Sequence, residues 1–144
     1  EMAVIEQFIE GTEVAVTVVD TGDGPRALPA VEIRPNSGIY DYTARYTAGE
    51  TRFICPAELD DDVAQACADL ALRVHGSLGL RDLSRTDIIV GVDGPVFIET
   101  NVSPGMTETS LVPLAVEAAG EDFGRLCAAL VRQAYSRGPS GVRG

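Results

Sequence analysis

Apolar and polar residues alternate along the first third of the chain, then give way to a helical period. Residues 3–9 (AVIEQFI) and 12–20 (TEVAVTVVD) alternate and are rich in β-formers, with Glu10-Gly11 between them and a turn at Thr21-Gly-Asp-Gly-Pro25. Leu28 to Arg34 predicts a further strand, and Pro29 makes it an edge strand or one that only starts there, because proline cannot donate to a ladder. Residues 35–50 have no clean period but hold three of the four tyrosines, which predicts a long ordered loop. Thr51 to Cys55 predicts a short strand ended by Pro56.

From Asp60 the pattern changes. Val63, Ala66, Cys67, Leu70, Ala71, Val74 and Leu78 follow a 3.6-residue period, predicting a helix capped near Asp60 and stopped by Gly79. Two strands follow, Leu83 to Val90 and Pro95 to Asn101, then a Ser103-Pro-Gly-Met106 turn. Ser110 to Ala119 and Asp122 to Tyr135 predict two more helices. The fold class is therefore α+β, a mainly antiparallel sheet with packed helices. Residues 1–137 are expected to form one domain and 138–144 a flexible tail. The pattern is already strand-like at its first residues, so the chain is expected to be a fragment lacking an amino-terminal portion.

Composition narrows the function classes. Eleven basic and 22 acidic residues give a net charge of −11, which argues against a nucleic-acid binder. No apolar run approaches the ~20 residues of a membrane span, so a soluble, cytoplasmic protein is expected, with no membrane partner. The three cysteines, Cys55, Cys67 and Cys127, lack CxxC spacing and read as reduced thiols, the last two as core. His75 lies in the first helix without a metal-like partner and is expected to be partly exposed.

The chemistry concentrates in Phe97-Ile-Glu-Thr-Asn-Val-Ser-Pro-Gly-Met-Thr-Glu-Thr-Ser110. Glu99 and Asn101 are two apart, so on a strand their oxygens leave one face. A three-residue turn at Val92 to Gly94 would set Asp87 opposite Glu99 and Arg85 opposite Asn101; a two-residue turn at Asp93-Gly94 would set Asp87 opposite Thr100. Two carboxylates at ~4 Å repel by about 4 kcal/mol at an effective dielectric of 20, so a facing pair calls for a cation. An all-oxygen donor set selects Mg²⁺ or Ca²⁺ over zinc, and Mg²⁺ that keeps waters and substrate phosphates suits so few protein ligands. The plain alternative is a solvated hairpin face with Arg85 paired to a carboxylate.

Leu83-Ser-Arg-Thr-Asp87, Phe97 to Thr107, Thr109-Ser-Leu-Val-Pro113 and Tyr40-Asp-Tyr-Thr-Ala-Arg-Tyr46 together resemble the carboxy-terminal part of D-alanine–D-alanine ligases, which are ATP-grasp enzymes. The likeness runs in order from about Val4 to Tyr135. It implies a ligase that activates one D-alanine as an acyl phosphate with ATP and joins it to a second for peptidoglycan synthesis in cell-wall biogenesis. It further implies Asp87, Glu99 and Asn101 as ligands of two Mg²⁺, or Mn²⁺, with Glu99 bridging. Arg85 and the Gly105 N–H would stabilise the developing oxyanion, and Ser110 and Leu111 would hold the carboxylate of the second D-alanine.

By the same resemblance, Glu6 to Ile9 is a hinge strand whose backbone meets the adenine edge. Glu6 accepts from the adenine amino group, Phe8 and Ile98 flank the ring, and Glu13 binds ribose. Read without the family, this is an edge strand with a solvated Glu. Tyr40 to Tyr46 resembles the flap that closes over the site, with Tyr40 and Arg45 on the nucleotide side and Tyr46 near the substrate. Family members commonly carry Lys where Arg45 stands, and the Asp87 to Glu99 hairpin is one residue shorter than is common. The family's amino-terminal and central domains have no counterpart in this sequence, so the chain alone is expected to be inactive, and a homodimer is expected only at full length. Two alternatives remain open at this point: another ATP-grasp carboxylate-amine ligase with a different amino or hydroxy acid, and a non-catalytic divalent-cation or interaction module.

Overall fold

A computed structural model describes residues 3–35 and 51–138. Tyr40, Arg45 and Tyr46, and the tail from residue 139, lie outside the described residues. Within them are six strands: β1 (Thr12–Val19), β2 (Arg26–Ala27), β3 (Val31–Pro35), β4 (Thr51–Ile54), β5 (Leu83–Gly91) and β6 (Gly94–Asn101). Three helices accompany them: α1 (Asp61–Ser77), α2 (Leu111–Ala118) and α3 (Phe123–Arg137). The sheet order is β4-β3-β1-β5-β6, with β2 paired to the end of β1, and every pairing is antiparallel.

Alternation along β1 divides the core between the two faces of the sheet. Val14, Val16 and Val18 pack with Ile88 against Cys67 and Ala71 of α1. Ala15 and Val19 point the other way, with Leu28, Val31 and Ile33, onto Leu111, Val112, Ala115 and Val116 of α2 and Leu126 of α3. Each fully buried valine contributes about 1.5 to 3 kcal/mol, so this central strand with both faces covered anchors the domain. The carboxy-terminal helix is tied down by Arg137, whose guanidinium forks onto the Asp82 carboxylate just before β5 and holds it below its usual pKa.

Five expectations are corrected. Residues 3–10 are irregular, with Val4, Ile5 and Phe8 exposed, because no neighbouring strand offers them a ladder among the described residues. The strand expected from Leu28 starts at Val31, two residues beyond Pro29. Cys127 is only half-buried, and Leu78, expected on the apolar face of α1, is exposed.

His75 is the fifth. It is only 3% exposed, one helical turn beyond Ala71 on the same buried stripe, and its Nδ1 lies 2.8 Å from the Ser84 hydroxyl of β5. That hydrogen bond is what lets an imidazole replace an aliphatic side chain there.

Burial lowers the His75 pKa from its ordinary 6.5, outweighing the opposing charges of Asp20 and Asp82. Well above pH 6.5 the ring is neutral folded or unfolded and makes no difference. As pH falls below that value, the unfolded chain takes up a proton that the fold resists, and stability is lost. Thermal melts should therefore lose stability between pH 7 and 5, and His75→Gln should flatten the loss. An equal loss in the variant would contradict this assignment.

Candidate functional site

The site is built on the face of β5 that carries Arg85, Asp87 and Ile89. β1 sets Thr17, Ala15 and Glu13 beside these three in turn, so directly paired residues share that face. β6 closes the other side, with Asn101 opposite Arg85 and Glu99 opposite Asp87. Three carboxylates, an amide and a guanidinium thus occupy adjacent positions on three strands.

The expected facing of Asp87 and Glu99 is present, but its cause differs from the expected three-residue turn. The hairpin turns at Val92-Asp93, with Gly91 paired to Gly94, and the ladder proceeds through Val90–Pro95 and Ile89–Val96 to Ile88–Phe97. Continued without interruption, it would place Ile98 opposite Asp87. A β-bulge shifts the register between Asp87 and Ile88, leaves Ile98 without a partner on β5 and delivers Glu99 to Asp87. Because strand side chains alternate, this single extra residue decides which face Glu99 and Asn101 occupy.

Arg85 holds Asp87 through both oxygens: Nε donates to Oδ1 and Nη2 to Oδ2, each at 2.8 Å. The fork is well shielded, at 11% and 23% side-chain exposure for Arg85 and Asp87. Glu13 is half-shielded on the neighbouring strand, and burial first, then the charge of Asp87, raises its pKa. Asn101 accepts the Ser103 N–H through Oδ1 at 2.9 Å, which orients its amide and leaves a second lone pair. Among the described residues no three His, Cys, Asp or Glu side chains converge as a cation cluster, so the donor set reaches three only through Asn101. Oxygen donors alone, few in number and on one face, suit a hard cation completed by water or phosphate oxygens.

Beyond Asn101 the loop is organised by Ser110. Its Oγ accepts the Thr107 N–H at 3.2 Å and lies 2.9 Å from the Thr107 hydroxyl, while its own N–H donates to the Thr107 carbonyl. Ser110 stands at the N-cap position of α2, yet its side chain bonds no helical N–H. The simple cap that residue type allows is therefore not made. Leu111 faces the core with its side chain, so only its backbone is turned to the loop. Gly105 lies against Ser110: a Cβ there would sit 2.7 Å from Ser110 Oγ.

The family model for the D-ala D-ala ligase C-terminus matches residues 1–132. The chain belongs to this family. The D-alanine–D-alanine ligase of Bordetella petrii is 43% identical over 139 residues, which cover 96% of this chain and 43% of that relative. The ligase of Ruegeria sp. is 46% identical over 134 residues, 90% of this chain and 42% of that protein. Among solved structures, the VanG D-Ala:D-Ser ligase from Enterococcus faecalis has a TM-score of 0.75 at 29% identity, over 88% of this chain and 37% of that one. The Bacillus anthracis D-alanine–D-alanine ligase complexed with ATP has a TM-score of 0.74 at 26% identity, over 92% of this chain and 42% of that one. The chain thus spans about two fifths of the length of the curated relatives it matches, and its sheet and three helices are the carboxy-terminal ATP-grasp fold of these ligases.

Within that family fold, the segment expected as a hinge strand runs past the hairpin end of the site without pairing. Phe8 is 82% exposed and Ile98 46%, while Ile9 lies over Gly91, whose added Cβ would come 3.2 Å from the Ile9 side chain. Glu6 is exposed, and Tyr40, Arg45 and Tyr46 fall outside the described residues. Sequence reasoning missed the approach of Glu13 to Asp87, whereas the pairing of Arg85 with a carboxylate was the plain alternative it left open, seen here as a two-toothed grip on Asp87. The Arg-x-Asp spacing on a strand was the signal for that grip.

Gly11 marks where this segment enters β1. A Cβ there would lie 2.2 Å from the Val90 carbonyl oxygen and 2.7 Å from its carbon, both backbone atoms that cannot turn away. Gly11→Ala should cost about 2 kcal/mol or more by forcing β1 from β5. Gly76→Ala, in α1 with open space around it, should instead stabilise by about 0.5 to 1 kcal/mol. Urea denaturation of the two variants compares them, and equal effects would contradict the close approach at Gly11.

Proposed function

We propose that this chain supplies the nucleotide- and cation-binding face of a D-alanine–D-alanine ligase, with ATP and Mg²⁺ as its cofactors. The observation that carries the reading is the bulged register, which gathers Asp87, Glu99 and Asn101 with Arg85 on one face. The order of groups along β5 supports it. From Gly91 to Arg85 is about 20 Å at the usual strand rise, running from apolar Ile9 and Ile89, past Glu13 and Asp87, to Arg85 and the Gly105–Ser110 loop. An apolar base, a ribose, phosphates and an acyl group follow one another in the same order in an ATP-activated carboxylate.

In this reading the backbone near Ile9 meets the adenine, Glu6 accepts from its amino group, Phe8 and Ile98 flank the ring and Glu13 holds ribose hydroxyls. Asp87, Glu99 and Asn101 hold two magnesium ions, which neutralise the phosphate oxygens when bound. Arg85 faces the negative charge that grows as one D-alanine carboxylate attacks the γ-phosphorus and ADP departs. When the amine of the second D-alanine attacks the acyl carbon, Arg85 and the Gly105 N–H receive the tetrahedral oxyanion, and phosphate leaves. Ser110 Oγ and the Leu111 N–H hold the acceptor's carboxylate. Tyr40, Arg45 and Tyr46 close over the phosphates and exclude water, which would otherwise hydrolyse the acyl phosphate. Lysine-bearing strands and a glycine-rich loop for the phosphates, and the homodimer contacts, belong to the remaining three fifths of a ligase-length protein, which functions in the cytoplasm.

The test uses a ligase-length protein carrying this segment. It should release phosphate only with D-alanine present, and Glu99→Gln should lower kcat by about 100-fold or more while thermal stability is retained. Full turnover by the variant, with nucleotide-dependent metal binding intact, would overturn the metal assignment. Product analysis with D-alanine, D-serine and D-lactate decides the acceptor, the point on which the D-Ala:D-Ser neighbour bears.

A further inference from the structure

Asp87 is already engaged as it stands. The Arg85 guanidinium takes one lone pair on each carboxylate oxygen, so a divalent cation approaching the remaining pairs must compete with a positive charge already in contact, and Mg²⁺ tolerates little departure from octahedral geometry. The fork is intramolecular, preset by the two-residue spacing on β5, and shielded from water that would weaken it. Glu99, opposite Asp87, is exposed, and Asn101, opposite Arg85, is oriented by Ser103. One partner of the cation site is thus engaged while the other two stand ready.

We propose that Arg85 and Asp87 form a latch: a divalent cation that takes the Asp87 carboxylate displaces the guanidinium, which is then presented to the anionic group reacting beside it. This rests on the cation reading of the face given above and adds an order to it. With the latch closed, Arg85 is spent on a neighbouring carboxylate and holds an anion poorly. With the cation in place the fork is released towards Asn101 and the Gly105–Ser110 loop, which follows Asn101 directly along the chain. Cation and anion binding are then positively coupled, and by linkage each strengthens the other by the same factor. Arg85 is the cation's competitor for Asp87 before it is a group for the anion. A lysine cannot imitate it, because a point charge lacks the two parallel donors.

The test is a titration of the 144-residue chain with Mn²⁺ alone, read from the electron paramagnetic resonance of the free ion. Arg85→Lys keeps the positive charge and loses the fork, so it should bind Mn²⁺ about tenfold more tightly than the parent, the equivalent of one bidentate charge-assisted contact released. In the unmodified chain, Mg²⁺ should shift the Arg85 Nε–H resonance, identified by its absence from the variant. Equal or weaker Mn²⁺ binding by Arg85→Lys, or an unmoved Arg85 resonance at saturating Mg²⁺, overturns the latch while Glu99→Gln still weakens Mn²⁺ binding. Indifference of Mn²⁺ binding to Glu99→Gln overturns the cation reading itself, and the latch with it.

Discussion

One unpaired residue, Ile98, fixes the geometry of this face. The β5–β6 hairpin opens with a tight turn whose natural register would bring an isoleucine to Asp87. The bulge absorbs that residue, and from there to the end of β6 every side chain changes face. Thr100 turns to the α1 side, where its hydroxyl lies 3.1 Å from that of Thr86, while Glu99 and Asn101 turn to the site. The buried Thr86 and the packed Ile88 beneath leave little freedom for the register to slip back. A core contact on one face thus holds a polar arrangement on the other.

The sheet's two faces divide the labour. The α1 face is closed along its length by Val14, Val16, Val18, Cys67 and Ala71, with the His75–Ser84 hydrogen bond at its end. Among the described residues, the opposite face is closed where α2 and α3 cover Ala15, Val19, Val31 and Ile33. Arg85, Asp87 and Glu13 lie on that second face, only partly shielded. Burial first, and then the charge of Asp87, makes Glu13 hold its proton more tightly than an ordinary glutamate. A half-covered acidic patch is costly in the absence of positive charge, and Arg85 offsets that cost within the chain itself. The same acidity makes the patch a place where a cation, followed by phosphates, would be stabilised.

The order of elements was legible in the sequence because local patterns report it well. The 3.6-residue period gave α1, and the Gly-rich turns bracketed β1, β5 and β6. The face shared by Asp87, Glu99 and Asn101 was legible only as a condition on the turn, and a bulge satisfied that condition by a route that strand parity does not reveal. Residues 3–9 misled because alternation records which side chains could face a core, whereas a strand also needs a partner for its backbone. His75 misled for the converse reason: its polarity argued for exposure, while its hydrogen-bond partner, Ser84, lies on a strand that no helical period locates. Ser110 shows the same limit. Its type and position predict a cap, but Thr107 claims its hydroxyl.

The account stands on the bulged face being where a divalent cation settles, in a chain whose net charge of −11 offers other acidic places, among them the Asp60-Asp61-Asp62 run at the start of α1. Paramagnetic broadening of the amide spectrum by trace Mn²⁺ distinguishes them in one experiment. The account predicts that the first signals lost are those around Asp87, Glu99 and Asn101, and that added ATP deepens the loss there. Broadening centred on Asp60 to Asp62, or a loss indifferent to ATP, would contradict it.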